Sequence, residues 1–357
     1  TFKNCTSLTA LPANLFSGAG QLETLAETFY GCNNLVSVAE DLFAGMPNLK
    51  VLDSVFEACS ALPSVPEGLV PCTVTDLKYT FFRCAMLENA PLRLENVRYM
   101  GGTFSDSGLV EPPTLPAALE DASYAFANTP LKVPPTFPQS VKTLSGALQG
   151  CEKLTEASNI PDNAEKIDSL YYGCSSLTTF PADWRVPDSV RSMEQLFLAC
   201  TSLTAVPATF RMPEGVTSVA NVFYNCPNLE SLPEGLTIPS TATSMERMFY
   251  KCGSLKKLPD TLLLPEGMQN MSYAFYYAGL TTLPAGFTIP STVTNLQDSF
   301  AGSKMVSFPE GFRLPEGITS LSETFNYMDK LESLPEGFTL PESVTRLGYT
   351  FCYCRKL

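Results

Sequence analysis

Histidine is absent from the 357 residues, tryptophan occurs once, and no apolar run approaches the ~18–20 residues of a membrane-spanning helix. Without histidine the chain loses the commonest general base and the commonest transition-metal ligand, so it cannot build a Ser-His-Asp or Cys-His nucleophile. Charged residues make up only 17% of the chain, and the acidic ones prevail, giving a net charge of -13. Basic residues never gather beyond doublets such as Lys256-Lys257 and Arg355-Lys356, which excludes a phosphate-neutralising surface and disfavours nucleic acid as a ligand. An anionic membrane surface is disfavoured on the same electrostatic ground. Gly-rich phosphate loops and C-x-x-C pairs are missing too. No cofactor is expected.

What the chain has instead is one unit repeated throughout. Phe-x-x-Cys-x-x-Leu-x-x-Leu-Pro is followed by a second apolar-Pro segment and Val-Thr-x-Leu, and then by the next Phe. This landmark falls at Phe2, Phe29, Phe56, Phe81, Phe104, Phe126, Leu148, Tyr171, Phe197, Phe223, Phe249, Phe275, Phe300, Phe325 and Phe351, which encloses fourteen periods of 22 to 27 residues. A period of that size marks a solenoid, in which each coil buries its apolar face only against its neighbours. One solenoid domain over residues 1–357 is therefore expected, of leucine-rich-repeat type. The sequence opens and stops inside repeats, at Thr1 and Leu357, and reads as a piece of a longer protein.

Local signals divide each coil. In Leu229-Glu-Ser-Leu232-Pro233 an apolar segment ends at proline, which has no amide to continue a ladder, and a short parallel strand is predicted. Pro233-Glu234-Gly235 then reads as a turn, and Thr243-Ser244-Met245 as a second short strand. Met245, Met248, Phe249 and Cys252 stand at i, i+3, i+4 and i+7, which predicts a short helical turn in every coil. From Phe81 to Tyr171 the periods shorten to 22 or 23 residues and prolines accumulate, as at Pro112-Pro113 and Pro134-Pro135. A change of curvature or twist without a break in the stack is expected there.

Ten of the twelve cysteines (Cys5, Cys32, Cys59, Cys84, Cys151, Cys174, Cys200, Cys226, Cys252 and Cys354) share one slot of the repeat. Ser107, Thr129, Ala278, Ser303 and Met328 hold the same slot in other coils, so reduced packing thiols fit better than disulfides or a metal site.

In Phe197-Leu-Ala-Cys200-Thr-Ser-Leu203-Thr-Ala-Val206-Pro207 and Tyr171-Tyr-Gly-Cys174-Ser-Ser-Leu177-Thr-Thr-Phe180-Pro181 the chain resembles the BspA-like leucine-rich repeats of bacterial surface proteins. The resemblance covers essentially the whole chain. It implies a secreted or cell-surface protein, often an adhesin for host proteins, other bacteria or matrix components, with no shared catalytic residues. The expected function is non-enzymatic binding of a protein ligand over several coils. A glycan-binding surface and a structural spacer are the alternatives, and an intracellular scaffold is a further one.

Two columns of side chains are candidate sites. The acids that follow proline (Glu67, Glu234, Glu310 and Glu336 in the first turn; Glu214, Glu266, Glu316 and Glu342 in the second) could serve a glycosidase or calcium, but solvated turn residues are the simpler reading. The residue after the landmark is aromatic in several coils. Tyr172, Tyr224, Tyr250 and Tyr276, with Tyr277 beside the last, are the candidate ligand-binding residues, since exposed tyrosine offers amphipathic area to proteins or glycans. A half-buried packing role is the plainer reading of the same column.

Overall fold

The structure is a computed structural model that describes residues 1–357. Its contacts fall into two compact units, Thr1–Ser175 and Ser176–Leu357, and each is described by itself.

The helical turns predicted from the i, i+3, i+4, i+7 spacing are not there. The chain contains no helix, and its regular secondary structure is limited to two short strands in the first unit, β1 (Ala10–Leu11) and β2 (Ser37–Val38). These run parallel, with Ala10 opposite Ser37 and Leu11 opposite Val38. The other strand segments expected from the repeat are reduced to single parallel bridges. In the first unit one ladder of bridges runs Thr24, Val51, Asp76, Tyr99, Asp121, Thr143, Lys166, five residues before each landmark. In the second unit the same position links Ser218, Ser244, Asn270 and Asn295. The fold class is corrected accordingly: stacked coils made of turns and single bridges, not of strands and helical turns.

The backbone around the landmark explains the error. Residues two before and two after it have left-handed φ: Arg247 (52°) and Lys251 (56°) around Phe249, Asn221 (58°) and Asn225 (55°) around Phe223, Ser54 (53°) and Ala58 (59°) around Phe56. Alternate amides therefore face different partners. Around Phe249 the amides of Arg247, Phe249 and Lys251 donate to Ser272, Ala274 and Tyr276 of the next coil, at 2.9, 2.9 and 2.7 Å. Those of Met248, Tyr250 and Cys252 donate three residues back within their own coil, at 3.1, 3.2 and 3.2 Å. A helix would direct every amide back along its own coil, leaving none for the neighbour. Both patterns bring i, i+3 and i+4 together, so spacing alone does not separate them.

The left-handed residues cost roughly 1–2 kcal/mol each where they are not glycine. Against this, each coil gains inter-coil hydrogen bonds worth about 0.5–1.5 kcal/mol apiece, and a fully buried Phe worth about 1.5–3 kcal/mol. Burial decides the balance. In the first unit the rings of Phe2, Phe29, Phe56, Phe81, Phe104 and Phe126 stack at 5.4–5.7 Å and within 13° of parallel. In the second, Phe197, Phe223, Phe249 and Phe275 continue the pattern at 5.7–5.9 Å, and Phe300, Phe325 and Phe351 at 5.7 and 5.1 Å. The stack runs through the short coils at 81–126 without a gap, as does the bridge ladder to Lys166.

Alternate turns are capped from the next coil. In the second turn of the second unit, Gly215, Gly267 and Gly317 alternate with Thr241, Thr292 and Ser343. The hydroxyl of Thr292 donates to the carbonyls of Glu266 and Met268, each at 2.6 Å, and Ser343 does the same for Glu316 and Ile318. The amide of Gly215 donates to Thr241 Oγ1 at 3.0 Å. One coil leaves its turn carbonyls open and the next supplies the hydroxyl. This two-coil alternation is written in the sequence as Pro-Glu-Gly followed by Pro-Ser-Thr, or by Pro-Glu-Ser at Ser343.

Candidate functional site: a tyrosine ribbon on the second unit

The residue after the landmark has ordinary backbone and points its side chain away from the phenylalanine stack. At Tyr224, Tyr250 and Tyr276 it builds a second stack outside the first. Tyr224 and Tyr250 lie 4.5 Å apart and 1° from parallel, Tyr250 and Tyr276 4.7 Å apart and 9° from parallel. All three are half-buried. Ala301 and Asn326 fill the slot in the next two coils, and both are buried.

There the ribbon changes column. Tyr277, two residues past the landmark, meets Tyr276 edge-on at 4.8 Å and reaches Tyr327 at 6.5 Å. Its ring lies over Gly302, where an added Cβ would meet Tyr277 Cδ2 at 2.7 Å. Only glycine fits beneath that ring, and its φ of 69° suits glycine as well. Tyr327 in turn stacks on Tyr353 at 4.6 Å and 15°. Rings from five periods, those opening at Phe223, Phe249, Phe275, Phe325 and Phe351, thus form one run, with Tyr277 reaching across the period of Phe300, which contributes none. Tyr273 joins from the side, edge-on to Tyr276 at 5.6 Å.

Of the predicted residues, Tyr224, Tyr250, Tyr276 and Tyr277 come together. Tyr172 belongs to the first unit, where it is 36% exposed. Tyr273, Tyr327 and Tyr353 were missed because only the position directly after the landmark was followed. The signal was present: tyrosine recurs two residues before and two residues after it, in the left-handed slots.

Stacking also settles what the central rings can offer. Rings 4.5–4.7 Å apart cover one another's faces, so Tyr224, Tyr250 and Tyr276 present edges and hydroxyls outward. Burial, reinforced by the neighbouring Tyr250 and Tyr277, pushes the Tyr276 phenol up to about 12. Cations of the protein itself lie against the ribbon: Arg247 over Tyr273 at 4.9 Å, Lys251 over Tyr250 at 5.3 Å, Arg355 over Tyr353 at 5.9 Å. Asp298, only 4% exposed, lies beside Tyr273. Its carboxyl is held above the usual range by burial and by Glu323.

The remaining candidates resolve into structural parts. Glu214 accepts the amide and hydroxyl of Ser240 at 3.0 and 2.7 Å, and that serine separates it from Glu266, the next acid of its column. No group of three or more Cys, Asp or Glu is close enough to hold a metal ion. No helix is long and apolar enough to cross a membrane.

The cysteine slot has a hydrogen-bonding role beyond packing. Thiols of the slot donate to the landmark carbonyl of the preceding coil, as Cys59 to Phe29 at 3.3 Å, Cys84 to Phe56 at 3.1 Å, and Cys226 to Phe197 and Cys252 to Phe223 at 3.0 Å. All twelve cysteines are free. Burial pushes Cys59 and Cys252 up to about 12 and Cys151 up to about 11, and holds Cys84, Cys174 and Cys226 well above the usual thiol range. Thiolate is the reactive form, so labelling of the native protein with N-ethylmaleimide at about pH 8 is expected to modify Cys5 and Cys72 fast, and the buried ladder only after denaturation. Peptide mass mapping checks this, and rapid labelling of Cys252 in the native state would refute it.

Stacked turn-built coils with a ladder of phenylalanines and thiols define a repeat scaffold of the leucine-rich type. The model for the BspA type leucine rich repeat region matches residues 120–256, 183–307 and 219–357, together two thirds of the chain, and the chain belongs to that family. It is a non-enzymatic repeat protein. A comparison with curated proteins gives no match. Among solved structures, the chain is similar to a leucine-rich repeat protein from Bacteroides ovatus ATCC 8483, with 20% identity over 84% of this chain and 78% of that one and a TM-score of 0.47. It is also similar to a leucine rich cell surface protein from Faecalibacterium prausnitzii A2-165 (18% identity, 96% and 76% covered, TM-score 0.43). A leucine-rich repeat protein from Eubacterium ventriosum ATCC 27560 shows 14% identity, 97% and 88% coverage and a TM-score of 0.44.

Proposed function

We propose that the chain is a secreted or cell-surface binding module whose tyrosine ribbon holds a protein ligand, such as a host, bacterial or matrix surface protein, across several coils. The surface location rests on what membership of the BspA-type repeats implies. The observation that carries the ligand reading is the row of tyrosine edges and hydroxyls along Tyr224, Tyr250 and Tyr276, extended by the exposed rings of Tyr277, Tyr327 and Tyr353. Tyrosine contributes contact area at low conformational cost and is enriched at protein interfaces. Tyr172 has no part in this row and serves at most a separate contact.

A glycan is the second ligand class. It is favoured by the column's tyrosines but opposed by their covered faces, because sugar rings need an open aromatic face to lie on. The test sets the protein against a glycan array and a panel of immobilised matrix and bacterial surface proteins. Tyr224→Ala and Tyr250→Ala are expected to weaken protein binding by roughly tenfold or more, the size of an interface hot spot. Tyr250→Phe, which keeps the stack and removes one hydroxyl, should fall between. Loss of glycan binding in the same variants would select the glycan reading. Binding unchanged in both would discard the ribbon, and an absence of any binding would leave a spacer.

A further inference from the structure

Two rings of the ribbon are arranged for chemistry with each other. Tyr327 and Tyr353 stack at 4.6 Å and 15°, and they are 44% and 51% exposed. The other close tyrosine pairs lack one of these properties. Tyr224, Tyr250 and Tyr276 are parallel but half-buried, and Tyr277 and Tyr327 are 6.5 Å apart and tilted by 39°.

We propose that Tyr327 and Tyr353 form a site of oxidative modification, where a haem peroxidase using hydrogen peroxide joins the two rings by a carbon–carbon bond into dityrosine. Each phenol gives up its O–H hydrogen as one proton and one electron. Spin density of the resulting phenoxyl radicals resides partly on the ortho carbons, and two such carbons couple. The hydrogens on those carbons then move to the oxygens, restoring both phenols. The pair loses two hydrogen atoms in all, hydrogen peroxide is reduced to two waters, and no other bond breaks.

The surroundings help in two ways. A radical formed elsewhere on the ribbon meets its next ring within 4.5–6.5 Å, so it can migrate to the exposed pair. Buried thiols of the ladder remain protonated and out of reach of the enzyme. Half-exposed Cys352, next to Tyr353, is the competing reductant. The bond would tie the coil of Phe325 to that of Phe351.

The test treats the native full chain, capped with N-ethylmaleimide, with a plant haem peroxidase and hydrogen peroxide. Dityrosine fluorescence is expected to rise on the monomer, with an intact mass lower by two hydrogen atoms. Trypsin cuts at Lys330 and Arg346 place the two tyrosines on separate peptides, so the cross-link appears as one joined species. Tyr353→Phe keeps the ring and is expected to abolish the product. Tyr349→Phe, at a 70% exposed ring, is expected to leave it unchanged. Cross-links only between chains, a bond that fragmentation of the joined species places at Tyr349 instead of Tyr353, persistence in Tyr353→Phe, or no product where free tyrosine couples would each overturn the proposal.

Discussion

Phe249→Ala is expected to destabilise the second unit by about 3–5 kcal/mol, the range for removing a buried phenylalanine ring. The ring is fully buried, 5.8 Å from Phe223 on one side and 5.9 Å from Phe275 on the other. A coil has no core of its own, so the cavity cannot be closed from within it, and both neighbours lose a stacking partner. Cys252→Ala in the same coil removes a smaller group and a weak hydrogen bond to Phe223, and should cost far less. The urea midpoints of the two variants, measured with the wild type, check the ordering. A Phe249→Ala loss no larger than that of Cys252→Ala would show that the aromatic seam does not dominate.

Gly279→Ala is expected to be nearly as damaging, for a reason of space. A Cβ there would meet the carbonyl oxygen of Gly253 at 2.1 Å and the carbonyl of Leu255 at 3.2 Å. Both are backbone of the adjacent coil, so nothing flexible can move aside, and the amide of Gly279 is bonded to Cys252 O at 3.0 Å. The coils would have to separate, at a cost of about 3 kcal/mol or more, the upper end of overpacking penalties. Gly286→Ala is the control. Its nearest atoms are methyl carbons of Leu263 at 3.8 and 3.9 Å, and the change should be neutral or stabilise by about 0.4–1 kcal/mol through the unfolded chain. Thermal unfolding of both variants separates the two cases.

The stacking of the repeats was legible because it rests on burial, which periodicity reports directly. Phe223, Phe249 and Cys226 recur at fixed intervals since each must meet its own copy in the next coil. The local conformation was not legible for an equally physical reason. Arg247 and Lys251 give no hint of left-handed φ, as neither is Gly, Asn or Asp. Their conformation is imposed by the hydrogen bonds of the neighbouring coil, so propensity and spacing pointed to a helix that inter-coil bonding overrides. At the candidate site the same limit applied in part. Tyr224, Tyr250 and Tyr276 could be aligned by counting, but that their faces are spent on one another required coordinates. Tyr353 and Tyr327 required knowing that the second residue past the landmark also reaches the surface.

The alternation of glycine with threonine or serine in the second turn gives the second unit a parity. Gly215, Gly267 and Gly317 each face a hydroxyl-bearing coil at Thr241, Thr292 and Ser343. Excising one period would set two glycine turns, or two hydroxyl turns, against each other. In the first case the carbonyls of the exposed turn lose their donor. Excising two periods restores the original neighbours. The natural module for lengthening or shortening this protein is therefore the pair of coils, about fifty residues, even though the hydrophobic repeat counts only half that.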